Sequence, residues 1–363
     1  MNTYRAAILT CGREGAMEIY DPQLEQHPFV QPHPHALAAG FTACEQTEIV
    51  ACSDENASFM AEFGKKYGVP PERQYTDYRE LIDKEKPDIV SMTRDPGPRT
   101  DIMIYAADHG VKAIYFDNPM AATMADANAM VEAAERNGVV FNIGTNRRFY
   151  RGFEVMKEVI ANGDLGPLKY MSMQHSGPLF AHCSHTVDLT LYLNGDRPVA
   201  WVQAHIPDLS EAMKDGVLMS EPQEAQAMVQ FEDGVTAHIM CTRHNSEYQA
   251  VCEFGTVTAT NDFRDLKIVR KSEGGREPVV VKVPTFEPLS PMTTIVEDLV
   301  IGLETGEQTR AGVRVARTEM EMLFGFVESH LRGGARVELP LLDSKLRVPR
   351  PARPSIPSYG TDW

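Results

Sequence analysis

The sequence predicts a two-domain α/β chain: an N-terminal parallel sheet wound by helices, then an α+β domain with an open antiparallel sheet. Three observations predict it. Short apolar runs alternate with helical patterns as far as Ile143, the order of a parallel sheet with crossover helices. Past Gly144 period-two strand runs dominate, one pair of them joined by the hairpin signal Asp233-Gly234. A length of 363 residues exceeds one compact core and suits two domains.

Each element has its own signal. Ala6–Leu9 and Glu48–Cys52 are strand runs, and Asn56–Tyr67 is the helix that follows the second. Asp88–Met92 is a third strand, introduced by Glu85-Lys86-Pro87, and a helix over Arg99–His109 stops at Gly110. Val111–Phe116 is the fourth strand, Met124–Asn137 a helix ending at Gly138, and Val139–Ile143 the fifth strand. In the second domain a helix over Gly152–Asn162 leads to the strand Leu168–Met173 and a short helix, His185–Leu193. The antiparallel sheet is expected from Val199–Ala204, Ala225–Phe231, Val235–Cys241, Tyr248–Glu253, Thr256–Thr260 and Pro278–Val283. Helical patterns over Thr293–Leu303 and Arg310–Leu331 are expected to return to the first domain. The boundaries are then 1–145, 146–347 and an extended Pro-rich tail, 348–363.

Composition narrows the function classes. Hydrophobic residues at 43% and charged residues at 24% are a globular balance. A net charge of −16 disfavours nucleic acid and anionic membranes as partners. No apolar run has the length of a membrane span, and Met1–Ala7 lacks a signal-peptide pattern. The six cysteines form no C-x-x-C pair and are expected to be reduced, buried thiols of a cytoplasmic protein.

After the first strand comes Thr10-Cys11-Gly12-Arg13-Glu14-Gly15. It matches the dinucleotide fingerprint G-x-G-x-x-G with Thr10 at the first glycine, and so predicts a Rossmann domain. Gly12 lets backbone approach a pyrophosphate, and Gly15 lets helix meet strand. Ser53 and Asp54 end the second strand, and a carboxylate there accepts ribose hydroxyls and repels a 2′-phosphate, favouring NAD over NADP. Asp54 also suits a helix cap. An insertion, Tyr20–Pro34, separates it from the loop.

From these blocks the chain resembles the Gfo/Idh/MocA oxidoreductases. The resemblance rests on the glycine loop, Glu85-Lys86-Pro87-Asp88-Ile89-Val90, Gly110-Val111-Lys112-Ala113-Ile114-Tyr115 and Gly144-Thr145-Asn146-Arg147-Arg148-Phe149. It continues through Gly163-Asp164-Leu165-Gly166 and His185-Thr186-Val187-Asp188. It implies a Rossmann domain followed by a domain whose open sheet makes homodimer or homotetramer contacts. It also implies hydride transfer at a sugar or cyclitol hydroxyl carbon with NAD. Asp117-Asn118-Pro119 then stands where the family has E-K-P, with Asn118 in place of the catalytic lysine. His185 matches the histidine of the family's D-x-x-x-H pair, but Ala181 stands where its aspartate is expected. Thr93, Arg94 and Asp95 resemble the loop near the nicotinamide ribose.

Hydride transfer from an alcohol needs a proton acceptor, so His185 is the expected acid/base, with His182 beside it. Asn118 is expected to orient the substrate, and Tyr150 to offer it a phenol. Asn146 and Arg147 lie at the carboxyl edge of the fifth strand, where Rossmann ligands bind. One of Arg147 and Arg148 is expected to meet cofactor or substrate, and the other to make an ion pair. Arg243 and His244 end a strand, and two readings stay open for them, a place facing the cleft or solvation at the strand end. No metal is expected, because His182 and His185 lack a third ligand nearby. Two alternatives stay open: a redox-neutral glycosidase or lyase with tightly held NAD, and a non-catalytic NAD-binding subunit.

Overall fold

The computed structural model describes residues 2–12, 34, 36–93, 96–242, 246–260, 265–272, 278–283 and 289–349. Arg13, Glu14, Gly15, Arg94, Asp95, Arg243, His244, nearly all of the 20–34 insertion and most of the tail lie outside these residues.

The first domain runs β1 (Tyr4–Ile8), α1 (Leu37–Ala43), β2 (Thr47–Ser53), α2 (Ala57–Tyr67), β3 (Gln74–Tyr75), α3 (Tyr78–Glu85), β4 (Ile89–Met92), α4 (Arg99–Asp108), β5 (Ala113–Phe116), α5 (Met124–Asn137) and β6 (Val140–Ile143). Its strands form one sheet in the order β3-β2-β1-β4-β5-β6, parallel throughout. That is the doubly wound order, and it reverses between β1 and β4. Every residue of β4, β5 and β6 is buried, as strands covered on both faces must be. Asn56 caps α2, accepting from the Ser58 and Phe59 amides, so the cap is not Asp54.

The second domain begins with α6 (Arg151–Ala161) and β7 (Leu168–Ser176). A π-helical turn, Leu179–Cys183, runs into α7 (Ser184–Leu193). Then come β8 (Val199–His205), α8 (Leu209–Ala212), β9 (Met213–Lys214), β10 (Val217–Leu218), β11 (Ala225–Phe231), β12 (Thr236–Thr242), β13 (Glu247–Cys252), β14 (Gly255–Thr260), β15 (Asp265–Lys271) and β16 (Pro278–Val281). The chain closes with α9 (Pro291–Thr305), α10 (Val313–Leu331) and β17 (Val337–Glu338). The large sheet has nine strands among the described residues, ordered β16-β15-β14-β13-β7-β12-β11-β8-β17, not the expected six. One pair, β7 with β12, is parallel. The chain leaves β7 through α7, re-enters at β8 and hairpins back through β11, so β12 returns alongside β7 in the same direction.

The last two helices do return to the first domain. Gly40 of α1 lets α9 approach so closely that a Cβ there would sit 2.7 Å from the Met292 carbonyl oxygen. The loop between α9 and α10 extends the β6 edge: the Ile143 amide donates to the Ala311 carbonyl at 3.0 Å, and Thr309 Oγ1 donates to the Phe141 carbonyl at 2.5 Å.

The expectation of six free thiols is corrected. Packing of α7 on the sheet brings Cys183 and Cys241 to a Cα–Cα distance of 6.1 Å, and they form a disulfide. Cys11, Cys44, Cys52 and Cys252 are free and buried. The thiol premise for a cytoplasmic location therefore falls. Among the described residues no helix is long and apolar enough to cross a membrane.

Candidate active site

The crevice at the strand-order reversal opens between the ends of β1 and β4. Thr10, at the first glycine position of the fingerprint, holds it: Thr10 Oγ1 lies 2.8 Å from Thr93 Oγ1 and accepts from the Thr93 amide at 3.0 Å. The threonine thus carries the β1–β4 pairing past the strand ends by side-chain bonds that a glycine could not make. Asp54 turns its carboxylate back on the loop. Oδ2 accepts from the Cys11 amide at 2.8 Å, and Oδ1 from the Asn56 amide at 2.8 Å. Each oxygen keeps a lone pair, and the side chain is only half-buried. Cys11 itself is buried, with Sγ 3.7 Å from the Ser53 carbonyl. Loop backbone with an acidic side chain at the end of the neighbouring strand is a donor and acceptor set that fits a dinucleotide.

Asp117-Asn118-Pro119 follows β5, with a cis peptide before Pro119. Arg99, 1% exposed, reaches under this block and donates Nη1 to the carbonyls of both Asp117 and Pro119. Gly144, after β6, lets the block approach: a Cβ there would lie 2.5 Å from both Asp117 Oδ1 and the Tyr115 hydroxyl. Asn118 spans the domains. Its Nδ2 donates to the Ala181 carbonyl and to Ser184 Oγ, each at 2.7 Å. An amide nitrogen has two protons, so both are committed, and only Oδ1 is left for a substrate.

Beside this bridge lies a cluster that the sequence disclosed only in part. Arg147, in the 3-10 turn Asn146–Phe149, donates Nε to the Tyr248 hydroxyl at 3.0 Å and sets Nη2 3.4 Å from His175 Nε2. His175 Nδ1 lies 2.7 Å from Ser246 Oγ and 3.2 Å from the Tyr248 hydroxyl. The rings of His175 and His182 stand 6.1 Å apart. Burial first, and then the Arg147 guanidinium, hold His175, His182 and His185 below the ordinary imidazole range. All three are therefore neutral near pH 7. His182 is the solvent-exposed member, while His185 is half-buried and its enclosed Nδ1 has no hydrogen-bond partner among the described residues. His182 sits against Gly177, whose φ of 119° and missing Cβ make the room: a Cβ would fall 2.1 Å from the His182 Nδ1.

Tyr150 is buried, with its hydroxyl 3.4 Å from Asn146 Nδ2 and its ring edge-on to Phe153. Arg148 is the ion-pair member of its pair. It binds Asp188 through Nε at 2.9 Å and Nη2 at 2.6 Å, with both side chains wholly enclosed. The described residues contain no cluster of three potential metal-ligating His, Cys, Asp or Glu side chains.

The sequence missed His175, Ser246, Tyr248, Arg99 and Glu221. His175 had a readable signal. Met171 and Met173 alternate inward on β7, and extending that alternation by two residues puts an imidazole on the buried face. Tyr248 is likewise inward with Ala250 and Cys252 on β13. Glu221 lies in a loop between strands and had none.

Comparison with known proteins agrees with this architecture. The model of the oxidoreductase family with an NAD-binding Rossmann fold, GFO_IDH_MocA, matches residues 28–145. A myo-inositol 2-dehydrogenase of Thermotoga maritima is 26% identical over 195 residues, 49% of this chain and 54% of that protein. A D-apiose dehydrogenase of Paraburkholderia graminis is 30% identical over 138 residues, 38% of this chain and 35% of that protein. The chain thus spans about half the length of the first relative and about a third of the second. Among solved structures, an aldose–aldose oxidoreductase of Caulobacter crescentus complexed with glycerol superposes with a TM-score of 0.74 at 19% identity, covering 93% of this chain and all of that one. An inositol dehydrogenase homologue of Azotobacter vinelandii, complexed with NADH and myo-inositol, also gives 0.74, at 15% identity over 93% of this chain and 98% of that one. At these identities the structural likeness is one of fold. The resemblance read from the sequence is borne out over the Rossmann domain, where residues 28–145 match the model of the Gfo/Idh/MocA oxidoreductases.

Proposed function

We propose that the protein is an NAD-dependent oxidoreductase that moves a hydride to or from a hydroxyl carbon of a sugar, glycoside or cyclitol. The observation that carries this is the convergence of the three neutral imidazoles and Arg147 beside the Asp117–Pro119 block, at the carboxyl edge of the Rossmann sheet. A bound nicotinamide would supply the hydride acceptor. Thr10, Cys11, Gly12, Ser53, Asp54, Thr93, Asp117 and Pro119 would hold the dinucleotide, with Asp54 favouring NAD over NADP through repulsion of a 2′-phosphate. His185, kept unprotonated, would accept the hydroxyl proton, and Arg147 and Tyr248 would orient the neighbouring substrate oxygens. The test is nicotinamide absorbance on mixing enzyme and NAD with a panel of sugars and cyclitols. No NADH with any of them would remove the reading. Release of a chromogenic aglycone without added cofactor would favour the redox-neutral alternative, which Asn118 in place of a lysine also suits.

We further propose that copies associate through the open sheet face. The outward residues of the adjacent strands β7, β12 and β11, such as Tyr170, Gln174, Met228, Gln230 and Met240, include no carboxylate, lysine or arginine in a chain of net charge −16. Sedimentation velocity of the protein and of Met240→Lys tests this: a monomer in both would refute it.

A further inference from the structure

The turn that carries His182 and leads into His185 is gripped from two sides. From the Rossmann domain, Asn118 Nδ2 donates to the Ala181 carbonyl and Ser184 Oγ. From the second domain, Glu221 Oε2 accepts from the amides of Phe180 and Ala181 at 3.0 and 2.9 Å. The Leu179 amide donates to the Pro222 carbonyl at 2.9 Å. These amides open a continuous helical run, Leu179–Cys183 into Ser184–Leu193, and the opening donors of a helix have no partner within it. A carboxylate is the strongest acceptor available to them, and the charge is favoured at that end. The backbone of Ala181 is thereby held at its amide by Glu221 and at its carbonyl by Asn118. A π-helical turn is an unusual local geometry that surroundings must impose, and here both constraints fall on one residue, on the two peptide groups that flank it.

We infer that Glu221 is a positioning residue, which with Asn118 sets the π-helical turn from which His182 and His185 reach the site. Ala181 stands where an aspartate of the D-x-x-x-H pair is expected, and Glu221 brings a carboxylate to that same residue through its backbone. The inference rests on the hydride-transfer reading only in giving the two histidines work to do. The grip itself is read without substrate.

The experiment is ring nitrogen–proton spectroscopy of the full chain labelled at histidine, in wild type, Glu221→Ala and Glu221→Gln, together with NAD affinity and steady-state kinetics. Glu221→Ala is expected to move the His182 and His185 signals and leave those of His205 and His330, a neighbouring pair on β8 and α10 with ring centroids 5.2 Å apart, in place. Glu221→Gln keeps an acceptor without the charge and is expected to move the same two signals less. Turnover in Glu221→Ala is expected to fall by about 10- to 100-fold, the usual result of misplacing a reacting group by about an ångström, with NAD affinity little changed. Unmoved His182 and His185 signals in a folded Glu221→Ala protein overturn the inference. If that variant does not fold, unmoved signals in Glu221→Gln overturn it. Moved signals in a protein whose wild type oxidises no carbohydrate leave the positioning role standing and sink the hydride-transfer reading instead.

Discussion

Replacing Arg148 by Met should unfold the second domain at a markedly lower temperature. The Arg148 guanidinium is wholly enclosed, and it meets Asp188 through Nε at 2.9 and 3.0 Å and Nη2 at 2.6 Å. It also reaches Asp196 at 3.2 Å and the Arg310 carbonyl. Burial works against the cation, but Asp188 and Asp196 outweigh it and push Arg148 further up. Its removal leaves the Asp188 carboxyl enclosed beside Glu319, which burial and then Asp188 already hold well above the usual carboxylate range. Breaking a buried pair from one side costs about 3–5 kcal/mol. At about 2–4 °C per kcal/mol for a domain of this size, the melting temperature should fall by roughly 6–20 °C. Calorimetry of Arg148→Met, Asp188→Leu and the double variant supplies the cycle. The double variant should recover much of the loss, because an apolar pair of similar volume often replaces a buried ion pair without penalty. A single variant costing under about 1 kcal/mol, or a double variant no better than the worse single one, refutes the reasoning. The pair matters to the site because it pins the turn that carries Arg147 to the helix that carries His185.

Three further outcomes are expected. His175 and His185 are pushed down by burial and then by Arg147, so in the fold they stay neutral while the unfolded chain takes up protons near 6.5. Stability is then intact above about pH 6.5 and declines below it, with a slope approaching about 1.4 kcal/mol per pH unit for each histidine; flat urea midpoints between about pH 7.5 and 5 would contradict this. Unreduced, denatured protein should titrate four thiols and reduced protein six, and six before reduction would exclude the Cys183–Cys241 bond. Asp54→Ser should weaken NAD binding by about tenfold and narrow the preference over NADP; an unchanged ratio of the two affinities would remove Asp54 from the ribose.

The parallel domain was legible because its signals are local. Apolar runs such as Ile114-Tyr115-Phe116 and stop residues such as Gly138 report strand and helix ends within a few residues. The short strand Gln74–Tyr75 and helix Tyr78–Glu85 were missed, one for want of length and the other for want of apolar residues. In the second domain β15 was missed because Asp265–Lys271 alternates charged with apolar residues at a sheet margin, where exposed positions carry no apolar signal. The site was legible only where one segment holds several of its groups, as in 181–185 and 146–148. His175 lies on β7, Tyr248 on β13 and Ser246 just before β13, and only the antiparallel pairing of β7 with β13 brings these distant segments together. The disulfide has the same origin: sequence separation of 58 residues hides a proximity that α7 packing creates.

The departures from the family pattern are consistent with one another in charge. A buried lysine at position 118 and an aspartate at position 181 would be opposite charges on the two sides of one interdomain contact. Loss of either alone would leave the other ion enclosed and uncompensated, which is costly. Asn118 and Ala181 remove both and leave that sum unchanged, and the amide-to-carbonyl bond of 2.7 Å now joins the domains where an ion pair would have done so. With lysine and aspartate both absent, the proposed hydride transfer would leave the proton to the histidines that burial, and then Arg147, hold neutral. A histidine held below its ordinary range is a weaker base than a free one, but it is never lost to protonation near neutral pH. Activity that relies on His185 should therefore lack the acid-side fall near pH 6.5 that a free imidazole imposes, so the pH dependence of kcat/KM separates His185 in this cluster from any ordinary exposed histidine as the base.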